Sequence, residues 1–216
     1  RRPRRADAAD AGGEDLARRA GPAEPLIAAL KSGDSEVSFL AAEGLALAGR
    51  GEGTSVLLTS VDLMPDLGIR KRAVKALGEL ADIRALDTLL RLVSDDGHAL
   101  QEEAAEALGH MGKAAEAQPG QPQRIFGILT RLAKGTGGVA RRALVGLRYF
   151  GTREAWDIIR GRLRDDDWQV RQTVAALLEH CADPTTAELL TGRLLEERYA
   201  GVAQALARSL RKHHGP

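Results

Sequence analysis

The chain has 216 residues, 44% of them hydrophobic and only 3% aromatic, and its 31 basic and 30 acidic side chains leave a net charge of +1. So even a balance argues against a dedicated binder of nucleic acid or of a membrane surface, which carries a clear basic excess. The lone cysteine, Cys181, excludes an internal disulfide framework and fits a reducing compartment. No apolar run is long enough to cross a bilayer and no signal peptide is evident, so no membrane association and a cytoplasmic location are expected.

Residues 1–22, RRPRRADAADAGGEDLARRAGP, are rich in Arg, Ala, Asp and Gly. Gly12-Gly13 weakens any helix over 7–20, and no regular apolar face appears. The segment is expected to be a linker or tail. Arg1, Arg2, Arg4 and Arg5 form a run so short that solvation is expected rather than contact with phosphate or an acidic partner. A start at Arg1 rather than Met suits a module of a longer polypeptide.

From Glu24 onward a helical unit recurs. Its second helices read AAEGLALAG, AVKALGELA, AAEALGHMG, ALVGLRYFG, TVAALLEHC and VAQALARSL, centred on Leu45, Leu77, Leu108, Leu147, Leu177 and Leu206. The intervals are 32, 31, 39, 30 and 29 residues, and KAAEAQPGQP at 113–122 accounts for the long one as a loop insertion. Apolar positions such as Ala73, Leu77 and Leu80 make one buried stripe on a helix of 3.6 residues per turn. Small neighbours (Ala76, Gly78, Ala107, Gly109) allow adjacent backbones to approach closely. First helices carry stripes of their own: Leu86, Leu89, Leu90 and Val93, then Ile125, Ile128, Leu129 and Leu132. The last two pairs echo each other, IIRGRL at 158–163 against LLTGRL at 189–194. Between the helices lie Gly33-Asp34, Pro65-Asp66, Asp95-Asp96-Gly97 and Asp165-Asp166-Asp167, where an Asp is expected to cap the second helix.

No alternating β-branched run or Asn-Gly hairpin occurs, so the chain reads as all-α. A helix pair this small cannot bury both faces alone and must stack on its copies. About six pairs over 23–211 give a right-handed α-α superhelix, with 212–216 a polar tail.

The Asp turn, the basic residue a few places on (Arg70, Lys71, Arg141, Arg171) and the A-x-x-A-L-G core resemble the HEAT repeat family, in its short PBS-lyase-type HEAT-like form. DDDWQVRQTVAALLEH at 165–180 carries the resemblance most fully, followed by IRKRAVKALGELAD at 69–82. Units 1 and 6 depart from it, with Phe39 and Ala200 where the basic residue belongs. The resemblance implies that second helices line a concave binding face, and that the aligned basic residue ties the turn Asp of its own or the adjacent unit.

Registering the units places Phe39, Lys71, Glu102, Arg141, Arg171 and Ala200 in one exposed column. Glu43, Lys75, Glu106, Val145, Ala175 and Gln204 follow one turn on, then Leu47, Glu79, His110, Tyr149, Glu179 and Arg208. Unit 2 is basic, unit 3 acidic (Glu102, Glu103, Glu106), and units 4 and 5 basic again (Arg141, Arg142, Arg148, Arg171). A surface tracking a phosphate backbone needs one continuous basic stripe, which the acidic belt interrupts. The mosaic suits a protein or peptide partner of complementary charge. Lys71, Lys75, Glu102, Glu106, His110, Arg141, Arg148, Tyr149 and Arg171 are the candidate contacts.

Other chemistry finds no support. None of His98, His110, His180, His213 and His214 forms an H-x-x-x-H pair beside a carboxylate, and Cys181 lacks a CxxC companion, so no metal or other cofactor is expected. There is no G-x-S-x-G elbow and no Cys–His–Asp set. Gly135-Thr136-Gly137-Gly138 lacks a Walker Lys and joins two helices, as an interhelix turn does. Trp156 and Trp168 are expected to pack rather than stack on bases.

A non-enzymatic scaffold is therefore the leading reading, with a nucleic-acid-binding array in the manner of HEAT-like DNA glycosylases as the alternative. The family name also implies a bilin lyase, but no residue of 23–211 singles out such a site. The insertion at 113–122 reads as a spacer or as the locus of a contact particular to this chain. The oligomeric state is left open.

Overall fold

A computed structural model of the protein describes residues 23–117 and 119–213; the readings made for residues 1–22 and for His214 lie outside them. The described residues form twelve α-helices and no strands. These are α1 (Ala23–Ala29), α2 (Ser35–Leu47), α3 (Thr54–Leu63), α4 (Leu67–Leu80), α5 (Leu86–Ser94) and α6 (Gln101–Ala114), followed by α7 (Gln121–Ala133), α8 (Gly137–Arg148), α9 (Arg153–Gly161), α10 (Trp168–Leu178), α11 (Thr185–Glu196) and α12 (Ala200–His213). Each even-numbered helix packs on the odd-numbered helix before it and on its even-numbered neighbours, so the second helices stand in a row. The result is a right-handed α-α superhelix.

The stripe that repeats in the sequence is the stripe that is buried. Leu45, Leu77, Leu108, Leu147 and Leu206 are wholly inaccessible, and Leu177 is nearly so. Each such side chain contributes about 2 kcal/mol relative to exposure. Close approach of successive second helices depends on missing side chains. A Cβ on Gly78 would stand 2.6 Å from the Cα of Ala107, and one on Gly109 would run into the backbone of Gly146.

The Asp turns act as caps in three units. Asp34 accepts the N–H groups of Glu36 at 2.8 Å and Val37 at 3.2 Å, Asp66 that of Ile69 at 2.8 Å, and Asp167 that of Gln169 at 2.8 Å. Each is worth about 1 kcal/mol. The turn ahead of α6 is held differently. Gly97 takes a positive φ of 84°. Gln101 Nε2 then donates to the Val93 carbonyl at 3.1 Å and to Asp96 at 3.3 Å, while His98 Nδ1 accepts the Leu100 N–H at 3.1 Å.

Three local expectations change. The segment 113–122 is mostly helical: α6 runs to Ala114, a 3₁₀ turn covers Ala115–Ala117, and α7 starts at Gln121 with Pro122 in its first turn. Lys, Ala and Glu favour helix, and proline is tolerated where the first N–H groups have no intrahelical partner. At the other end, α12 continues to His213, whose Nε2 hydrogen-bonds the Leu178 carbonyl oxygen at 2.8 Å, so residues 212 and 213 of the expected tail are helical. Trp156 packs half-buried against the core, but Trp168 is 38% exposed and lies parallel to Tyr199 at 6.0 Å. As the first residue of α10, Trp168 projects back past the helix end, off the buried stripe.

Candidate second-helix groove

Residues of α4, α6 and α8, with Tyr149 just past the end of α8, line a groove of about 420 Å³. Lys71, Arg72, Lys75 and Glu79 form the α4 wall; Glu103, Glu106, Ala107 and His110 form the α6 floor; Arg142 and Tyr149 close the α8 side. Five expected contacts meet there: Lys71, Lys75, Glu106, His110 and Tyr149.

Ion pairs between neighbouring units knit the walls together. Lys71 Nζ lies 2.9 Å from Glu103, Arg142 pairs with Glu106, and Arg72 pairs with Glu43. Lys75 makes only a 3.7 Å contact with Glu79 one turn along α4 and is the most exposed of these cations. Such pairs near solvent add at most about 1 kcal/mol each, yet they hold the side chains in register across the stack. On the floor, the His110 ring meets that of Tyr149 with centroids 3.9 Å apart and planes tilted by 36°, and the Arg148 guanidinium covers the Tyr149 ring at 4.9 Å. Burial pushes the His110 imidazole below its ordinary value.

The other expected contacts stand elsewhere. Arg148 faces the next groove along, with Glu179 and Arg208. Arg141 hydrogen-bonds Gln169 of the following unit. The Glu102 carboxylate rests against Gly138 in the first turn of α8, in space that any side chain at 138 would occupy. A negative charge is favourable at that helix start. Gly137, at φ 70°, and Gly138 thus shape a helix N-terminus and seat a carboxylate from the preceding unit. Glu103, one position on from Glu102, is the residue that enters the groove; one residue is a 100° rotation about the helix axis.

Phe39 and Arg171, both placed in an exposed column by register, are buried at 1% and 6% exposure. Ala175 is buried as well. Phe39 lies beneath the Arg72 guanidinium, 5.0 Å away. Arg171 is a clamp between units 5 and 6. Its Nη1 donates to the carbonyls of Asp165 at 2.8 Å and Asp166 at 3.0 Å, while Nε and Nη2 reach Glu197 at 2.9 and 3.0 Å. Glu197, whose side chain is 1% exposed, also accepts from Arg193 at 2.7 Å and from the N–H groups of Arg198 and Tyr199 at 2.9 and 3.0 Å. The Arg171 hydrogen bonds, with those N–H groups, hold its carboxyl down at about 2. In unit 5 the aligned basic residue therefore ties its own turn and the adjacent one, through an acid that sequence reasoning missed, whereas Lys71 and Arg141 reach Glu103 and Gln169 on the next second helix instead. A signal existed: Glu197 stands one 31-residue period after Asp166.

Two further carboxyls are held at about 2: Asp82, chiefly by Arg84 and with Thr54 as a further donor, and Asp183, by Thr185 and then Arg160. All three acids brace turns. Among the described residues, no group of three or more His, Cys, Asp or Glu is placed to hold a metal ion, and no helix is long and apolar enough to cross a membrane.

The HEAT-repeat model matches residues 23–109 and 127–211, leaving a gap that contains the insertion. No match was found among curated proteins. Among solved structures, a chain from the complex of CpcE and CpcF of phycocyanin lyase from Nostoc sp. PCC7120 superposes with a TM-score of 0.53 at 22% identity, over 72% of this chain and 96% of that one. A designed armadillo repeat protein aligns at 15% identity with a TM-score of 0.48, over 88% of this chain and 98% of the other. The matched segments take in all six helix pairs, and the fold is the stacked array that the repeats require; the chain belongs to the HEAT-repeat family.

Proposed function

We propose that the protein is a non-enzymatic scaffold that holds a protein or peptide partner on its second-helix face, the concave one in arrays of this kind, across the groove of α4, α6 and α8. The observation that carries this reading is how the groove's charge is spent. Lys71 and Arg142 are neutralised by Glu103 and Glu106 of the floor, and Arg72 by Glu43. The potential therefore alternates from wall to floor to wall, and a polyanion laid along it meets carboxylates at every second step. A polypeptide with its own alternation of charge and an apolar group for the His110–Tyr149 ring pair is the better match. The groove carboxylates are engaged in ion pairs, which suits recognition rather than acid–base chemistry.

The test pairs two titrations. Immobilised wild-type protein is expected to retain a specific protein from a lysate of the native host, and the Lys75→Glu/Tyr149→Ala double variant to lose it. Random-sequence duplex DNA is expected to bind no tighter than millimolar in 50 mM salt. Micromolar DNA binding that falls steeply with salt, or equal retention of the partner by the double variant, would overturn the proposal.

A further inference from the structure

A second cleft, of about 530 Å³, opens at the edge of the array where the insertion separates units 3 and 4. We infer that this cleft is a docking site for a peptide segment presenting a large apolar side chain next to Lys or Arg. Its lining gathers Phe126, Tyr149 and Phe150, three of only seven aromatic residues in the chain. Phe126 and Phe150 meet edge to face at 5.2 Å, which fixes both rings without closing the space between them and the start of α9.

Gly127 gives the second observation. It lies within α7 and lines the cleft, and a Cβ there would meet nothing within 4 Å. Packing in this chain does not require a glycine, and a helix pays for one in conformational entropy. Its absent side chain leaves room for a group from outside. The contrast is Gly112 nearby, whose missing Cβ is filled by the Phe150 ring.

Charge selects the occupant. Glu116 and Glu154 line the cleft, and among the described residues no Lys or Arg does. An apolar anchor flanked by a cation fills the aromatic space and meets a carboxylate, whereas an acidic flank is repelled. Five of the lining residues (Gly112, Glu116, Pro122, Gln123 and Phe126) fall in the stretch 110–126 between the two segments that the family model matches. The site stands independently of the second-helix groove, although Tyr149 borders both.

The probe is a pair of fluorescein-labelled dodecapeptide pools on the intact protein, read by anisotropy. Both fix Phe, Leu or Trp at the centre; one flanks it with Lys and the other with Glu. The Lys-flanked pool is expected to bind at least tenfold tighter than the Glu-flanked pool. Gly127→Leu, at a position with room for a side chain, is expected to weaken it at least tenfold. Glu116→Lys/Glu154→Lys is expected to reverse the preference between pools. Lys75→Glu, in the groove, is expected to leave all of this unchanged, so failure here is distinct from failure of the scaffold proposal. Absence of binding by either pool, binding indifferent to Gly127→Leu, or a preference that survives the double charge reversal would overturn the inference.

Discussion

Replacing Glu197 with Gln removes one charge from an enclosed polar cluster while keeping its shape. Glu197 accepts from Arg171, Arg193 and two backbone N–H groups, and its side chain is 1% exposed. Folding lowers its pKa from 4.5 to about 2, a difference that linkage converts to at most about 3 kcal/mol of stability at pH 7. The Gln carbonyl still accepts part of the network, so the expected net loss is about 2 kcal/mol. The sign is fixed by the depressed pKa. This contribution is complete above the unfolded value of 4.5 and disappears as pH falls toward about 2. Hydrogen exchange over α11 and α12, with urea unfolding alongside, should therefore show wild type and variant furthest apart at pH 7, converging between pH 4.5 and 2. Exchange is the sharper readout, because a stacked array can open its last unit before the rest. A wild-type–variant difference that stays constant with pH, or one below about 0.5 kcal/mol at neutrality, would refute the argument.

Two glycines are expected to respond in opposite directions to the same change. Gly109→Ala puts a methyl group into the Gly146 backbone and should cost about 1–3 kcal/mol, while Gly127→Ala meets open space in a helix and should gain up to about 1 kcal/mol, both by urea unfolding. Leu108→Ala, at a wholly buried site in the middle of the row, should cost about 2–5 kcal/mol by the same measure. Asp82 and Asp183 share the depressed pKa of Glu197, so the steepest fall in wild-type stability should come between about pH 4 and 2, after a smaller decline below pH 6.5 from His110, whose burial disfavours its charged form. A profile that declines mainly between pH 7 and 5 would contradict that assignment.

The fold was legible because one physical requirement repeats. A pair of helices with a Leu stripe needs a neighbour, and the spacing from Leu45 to Leu206 states how many neighbours there are. Caps at Asp34, Asp66 and Asp167 followed from local chemistry alone. The groove was legible only in part, because register assigns a column but not its depth. Phe39 and Arg171 share a column with Lys71, yet both are buried. Each has a reason beyond its own unit: Arg72 lies over the Phe39 ring, and Glu197 from the following unit closes over Arg171. The choice of Glu103 over Glu102 turned on a single residue of rotation. The edge cleft was hidden for another reason. Phe126 and Phe150 are 24 residues apart and meet across the helix pair of unit 4, at positions outside the Leu stripe by which the repeat is recognised.

The row of second helices is the claim on which everything else rests, and spin-label distances test it most directly. Labels at Lys75 paired in turn with Val145, Ala176 and Gln204 sample two, three and four steps along α4, α8, α10 and α12. Helices packed side by side lie about 8–10 Å apart, so the separations should climb in order by roughly that amount per step. Distances that do not rise along the series, or a Lys75–Gln204 separation no longer than that from Lys75 to Val145, would contradict the stacked array.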